Sequence, residues 1–87
     1  MTKRDKDLNR ILDGRFDRSI DFSLLVRVLK RLGYTVYQEG SHHIARKPGI
    51  PGRLVIQPRD GLAKEYQVRQ IRRVILTYEE IEPSDEV

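Results

Sequence analysis

Two histidines, His42 and His43, are the side chains of this 87-residue chain whose unperturbed titration falls near neutral pH. They stand together in Gly40-Ser41-His42-His43-Ile44. A histidine within a basic surface meets the minimum for metal-free RNA cleavage. RNA carries its own nucleophile, the 2′-hydroxyl, so the enzyme needs a base to take that proton and cations to hold the phosphate as charge builds. Other chemistries fit less well. Cysteine is absent, which removes thiolate metal sites and disulfides together. Two sequential strand histidines cannot easily chelate one ion, and the carboxylates are scattered or gathered in the tail rather than convergent. No Walker-type loop, dinucleotide fingerprint or Gly-x-Ser-x-Gly elbow occurs. Ser41 beside His42 suggests a nucleophile and a base, but adjacent strand residues diverge and no orienting acid is at hand. No metal and no cofactor are therefore expected.

If the strand bearing them is regular, His42 and His43 point to opposite faces, and at most one of them enters a given site. Strict alternation groups His42 with Ile44, on the side that would ordinarily be buried. A twist or bulge after Gly40 would undo that grouping. The residues alone also allow a plainer alternative, two strand-end histidines with one exposed and one partly packed.

The elements that must position these residues follow the order α-α-β-β-β-α. Residues 2–13 predict a short N-terminal helix, with a Thr2/Asp5 cap, a thin Leu8, Ile11 and Leu12 stripe and a stop at Gly14. So thin a face suits an appendage to the core. Asp21 caps a second helix with Phe22, Leu25, Val26, Leu29 and Leu32 on its buried stripe and Gly33 at its end. The period then shortens to about two. Tyr34 to Gln38, His42 to Lys47 and Arg53 to Gln57 read as three strands of an antiparallel meander, joined at Gly40 and at Pro48-Gly49-Ile50-Pro51-Gly52. Pro58 to Lys64 reads as a loop. Glu65 opens a last helix whose apolar side is Tyr66, Ile71, Val74, Ile75 and Tyr78. Lys64, Arg69, Arg72 and Arg73 lie off that stripe and are the expected phosphate contacts.

Residues 1–87 thus form one domain, with a core over about 20–78 and an acidic tail at 79–87. All 17 lysines and arginines precede position 79, whereas Glu79, Glu80, Glu82, Asp85 and Glu86 follow without a base. The basic body suits a polyanion. No apolar run approaches the roughly 18 residues of a membrane span. The opening Met1-Thr2-Lys3-Arg4-Asp5-Lys6 leads into no signal-peptide core, so a cytoplasmic protein is expected. Two helices and a three-stranded sheet share one core only if both helices cover the same sheet face. The fold class expected is α+β, the α-β-β-β-α layering of double-stranded RNA-binding domains.

Gly40-Ser41-His42-His43-Ile44, then Leu54-Val55-Ile56-Gln57-Pro58, then Lys64-Glu65-Tyr66-Gln67-Val68-Arg69-Gln70-Ile71-Arg72 resemble the HicA toxins, over roughly residues 3–78. The likeness is to the branch with an extra N-terminal helix. It implies the toxin of a type II toxin–antitoxin system, an endoribonuclease that cuts mRNA, arrests translation and is neutralised by a HicB-type antitoxin. The histidine after Gly-Ser is then catalytic, which is His42. Gly40 is the glycine that lets backbone and substrate approach, and Gly40, Ser41, His43, Lys64, Arg69, Arg72 and Arg73 become the RNA-binding set. Two positions depart from the pattern. Ala45 stands where an aromatic is common, removing a base-stacking platform, and Glu65 stands where proline is common, bringing a negative charge toward the RNA path. Two other roles suit the same residues: an RNA-binding module that does not cut, and a basic face that docks an acidic protein.

Overall fold

The computed structural model describes residues 6–79, so the expectations for residues 2–5 and for the tail beyond Glu79 lie outside it. Helix α1 (Lys6–Asp13) leads through a 3₁₀ turn (Asp17–Ser19) to helix α2 (Phe22–Arg31). Three strands follow, β1 (Thr35–Glu39), β2 (His42–Arg46) and β3 (Leu54–Ile56). A hairpin of β4 (Pro58–Arg59) and β5 (Leu62–Ala63) then precedes helix α3 (Glu65–Tyr78).

The strands form one antiparallel sheet in the order β1-β2-β3. Val36 pairs with Ala45 and Ala45 with Leu54, and one step along the inner face His43 pairs with Ile56. Ala45, Leu54 and Ile56 are buried with Leu25, Val28 and Leu29 of α2 and Val68, Ile71 and Ile75 of α3. Both core helices therefore cover one sheet face, as the α+β reading requires, and among the described residues no helix lies over the opposite face. At its C-terminal end α2 closes with the Gly33 N–H on the Lys30 carbonyl and the Tyr34 N–H on the Leu29 carbonyl, each at 3.0 Å. Together these two bonds make a Schellman ending.

Three expectations are corrected. Helix α1 is more than an appendage: Ile11 is wholly buried and Leu8 nearly so, both within the common core. Residues 58–64 are a paired hairpin rather than a loop. Asp60 (φ 53°) and Gly61 (φ 81°) occupy its tip, the two left-handed residues that a two-residue type I′ turn demands. The hairpin also caps α2. Asp21 holds the N-cap position but its carboxylate makes no cap bond; the Phe22 N–H donates instead to the Gly61 carbonyl at 3.0 Å. Third, the inward side of α3 is Gln67, Val68, Ile71 and Ile75, while Tyr66 and Tyr78 are exposed.

Candidate functional site

Glu39 and His42 face each other across the two-residue turn Gly40-Ser41. Gly40 has φ 60° at the first central position, where such a hairpin favours glycine, and a Cβ built there would meet nothing within 4 Å. Its glycine serves the turn, and both turn residues are exposed. The β1–β2 register runs without a bulge from Thr35↔Arg46 to Glu39↔His42, so strict alternation holds through the histidine pair.

That alternation separates the two histidines. His42 is exposed, and shares its sheet face with Ile44. This is the open face, so the expectation that the Ile44 side packs into the core is reversed. Ile44 is only 3% accessible because Tyr37 and Val55 pair with it from either side, each of them 38% exposed. His43 turns inward, half-buried, with its ring edge-on to Phe22 at 4.8 Å between centroids. Its Nδ1 is sealed from solvent without a hydrogen-bond partner. Ala45 is also inward and wholly buried, so an aromatic at this position would enter the helix layer and could not stack on a base in solvent. The choice of alanine at this position therefore concerns packing.

The cations divide as well. Arg72 leaves the set expected for phosphate. Its guanidinium grips the Asp17 carboxylate with two bonds, at 2.9 and 3.1 Å, and donates to the Ile11 carbonyl at 3.1 Å. Asp17 is 6% exposed, so this fork is spent inside the fold, tying α1 and the 3₁₀ turn to α3. Arg73 and Arg69 remain on the outer side of α3, and Lys64 stands half-buried at its N-cap. Glu65 holds Arg69 at 3.1 Å and Arg18 at 3.3 Å, both in exposed pairs.

A polar chain runs from the histidine hairpin to α3. Ile56 pairs with His43, so one further step of the antiparallel register brings Gln57 beside His42. The Gln57 side-chain amide makes a long contact with Ser41 Oγ, at 3.5 Å, while its backbone N–H donates to Gln67 Oε1 at 3.2 Å. Gln67 Nε2 in turn donates to the Tyr66 hydroxyl at 3.4 Å. Gln67 is almost fully buried, and that role is invisible in a helical hydropathy stripe. Arg18 and Arg59, which line a cleft beside Tyr66, were also outside the expected site. The Asp60-Gly61 pair was the signal available for Arg59; nothing local points to Arg18. Among the described residues, no group of three or more His, Asp or Glu side chains is arranged to hold a metal ion, and no helix is long and apolar enough to cross a membrane.

An α-β-β-β-α unit with helices on one sheet face and an exposed histidine at the turn of the other defines a small basic α+β domain of double-stranded-RNA-binding-domain type. The family described as "HicA toxin of bacterial toxin-antitoxin" matches residues 23–76, more than half of the chain. The chain belongs to the HicA toxin family, and is the toxin of a toxin–antitoxin system, made to be paired with an antitoxin. The match begins within α2 and ends within α3, so it takes in the histidine hairpin and all of the cleft lining but Arg18, and leaves out α1. Searches of curated proteins and of solved structures each returned no match.

Proposed function

We propose that the chain is an endoribonuclease that cuts mRNA without a metal ion, with His42 as the general base and acid, and that a HicB-type antitoxin silences it. The observation that carries this reading is the exposure of His42 on the helix-free face while its neighbour is turned inward. A group that moves protons must reach its substrate, and His42 meets that condition. The reaction starts as the imidazole accepts the 2′-hydroxyl proton. The 2′-oxygen then attacks the adjacent phosphorus and the 5′-oxygen leaves, taking a proton. The products are a 2′,3′-cyclic phosphate and a 5′-hydroxyl end. Lys64, Arg69 and Arg73 lie with α3 on the other side of the sheet from His42 and are assigned to phosphates flanking the cut.

The test is induction of the chain and of His42→Ala at equal expression, with growth and RNA integrity followed together. His42→Ala is expected to relieve growth arrest and to slow cleavage roughly 10²–10⁴-fold. Cleavage by the parent should persist in EDTA and should fail on a strand whose 2′-hydroxyls are replaced by hydrogen. A toxic His42→Ala protein, or activity that chelation abolishes and Mg²⁺ restores, would overturn the assignment.

A further inference from the structure

Between the 3₁₀ turn, the β4–β5 hairpin and the first turns of α3 lies a cleft of about 410 Å³. That volume is within the roughly 300–1,000 Å³ of small-ligand sites. Arg18, Arg59, Lys64 and Arg69 line it against two acids, Asp60 and Glu65. Arg59 and Lys64 make no ion pair among the described residues, whereas Glu65 already engages Arg18 and Arg69. Tyr66 lines the same cleft and is 56% exposed. An uncovered aromatic ring beside unpaired cations is the combination that receives a nucleotide, base on ring and phosphate on cation. The amino end of α3, opening at Glu65, adds its own positive potential.

We infer that this cleft seats a nucleotide of the same single-stranded RNA whose 2′-hydroxyl His42 deprotonates, its base against Tyr66 and its phosphate between Arg59 and Lys64. The inference rests on the ribonuclease reading and gives it a second contact point. What favours RNA over an acidic protein segment is continuity. The chain Tyr66–Gln67–Gln57–Ser41 links the cleft wall, on the helix side, to the turn beside His42. Glu65 is the anion that competes with the phosphate. It pairs with Arg18 and Arg69 beside the cleft and so tempers RNA affinity.

The experiment is fluorescence anisotropy with a labelled, mixed-sequence single-stranded RNA oligonucleotide, in the full chain carrying His42→Ala so that the strand stays whole. Arg59→Gln with Lys64→Gln should weaken binding about tenfold and flatten the salt slope by about one, since roughly 0.7 of a counterion is released per phosphate contact on a single strand. Tyr66→Leu should also cost about tenfold but leave the salt slope unchanged, because stacking releases no counterions. Glu65→Gln should tighten binding several-fold by freeing two arginines. Lys30→Gln with Arg53→Gln removes two exposed cations from the far ends of α2 and β3, and should change affinity less than twofold. Equal losses from the cleft pair and this control pair would reduce the effect to diffuse charge and overturn the cleft. RNA binding untouched by the cleft variants, with loss of binding to the antitoxin instead, would make it a protein-docking surface and leave the ribonuclease reading standing. A parent protein that binds no RNA would overturn both.

Discussion

His42 and His43 are chemically identical neighbours whose surroundings give them unrelated work. His42 has solvent on its side of the sheet, and Glu39 opposite it across the turn. His43 is pressed against Phe22 with Nδ1 sealed and unsatisfied, a polar atom kept in an apolar layer. Leaving such a group unpaired costs about 1–3 kcal/mol. Replacing His43 by leucine, similar in bulk and without the orphaned nitrogen, is therefore expected to leave thermal stability unchanged or raised, with toxicity retained. Thermal melts and growth arrest on the same preparations check this. Loss of toxicity in a His43→Leu protein that melts like the parent would make His43 part of the reaction. The pair was legible in the chain as the place where chemistry sits, and its alternation was legible too. Which side faced solvent was not, because Ile44 looks like a core residue until Tyr37 and Val55 are seen to shelter it from within the sheet.

Among the elements, the 3₁₀ turn and α3 are joined by the Asp17–Arg72 fork, whose partners are 55 residues apart. Spacing along a helix gives the angle at which a side chain leaves it, and so grouped Arg69, Arg72 and Arg73. It does not say whether a long arginine can reach a buried acid contributed from elsewhere, and that non-local fact removes Arg72 from the surface set. Asp17→Asn leaves the guanidinium without its counter-charge in a largely buried place. The expected loss is about 2–3 kcal/mol, lowering Tm by roughly 10–20 °C for a domain of this size. Asp17→Leu combined with Arg72→Met should recover part of that loss, since an apolar pair needs no counter-charge. Calorimetric or circular-dichroism melts decide it; an unaltered Tm in Asp17→Asn would mean the fork contributes nothing. By contrast α2, the three strands and α3 were readable to within a residue or so, because hydrophobic period and glycine punctuation are local. The β4–β5 hairpin was overlooked because two-residue arms are too short to show a period, although Asp60-Gly61 already spelled its turn.

For the whole molecule, one contribution to stability against alkali comes from Tyr34, which stands just before β1. Tyr34 is buried, its hydroxyl has no partner, and Lys47 lies 5.7 Å from its ring centre while bonding Glu79 at 2.6 Å. Burial, and then the charge of Glu79, push the Tyr34 phenol above its ordinary value of 10.0. The folded state thus keeps this proton after the unfolded chain has released it. The group subtracts nothing below about pH 10, and stability falls as pH rises beyond that value toward the raised folded one. Tyr34→Phe should be as stable as the parent or up to about 1 kcal/mol more so at neutral pH, with a shallower alkaline decline. Urea midpoints measured from pH 8 to 11 test both parts, and parallel curves for the two proteins would sink the second. The overall architecture was the most legible level, since one shared core leaves two helices and a meander little choice of arrangement. The order of the sheet has a temporal consequence. Within the three-stranded sheet each strand pairs with its neighbours in sequence, so the β1-β2-β3 meander can form early from short loop closures. The Arg72 bonds to Asp17 and to the Ile11 carbonyl close loops of 55 and 61 residues, and belong to a later stage. Interactions formed after the folding barrier act on escape from the native state rather than on entry to it. The Asp17–Arg72 fork therefore sets how long a folded toxin lasts, more than how quickly one appears.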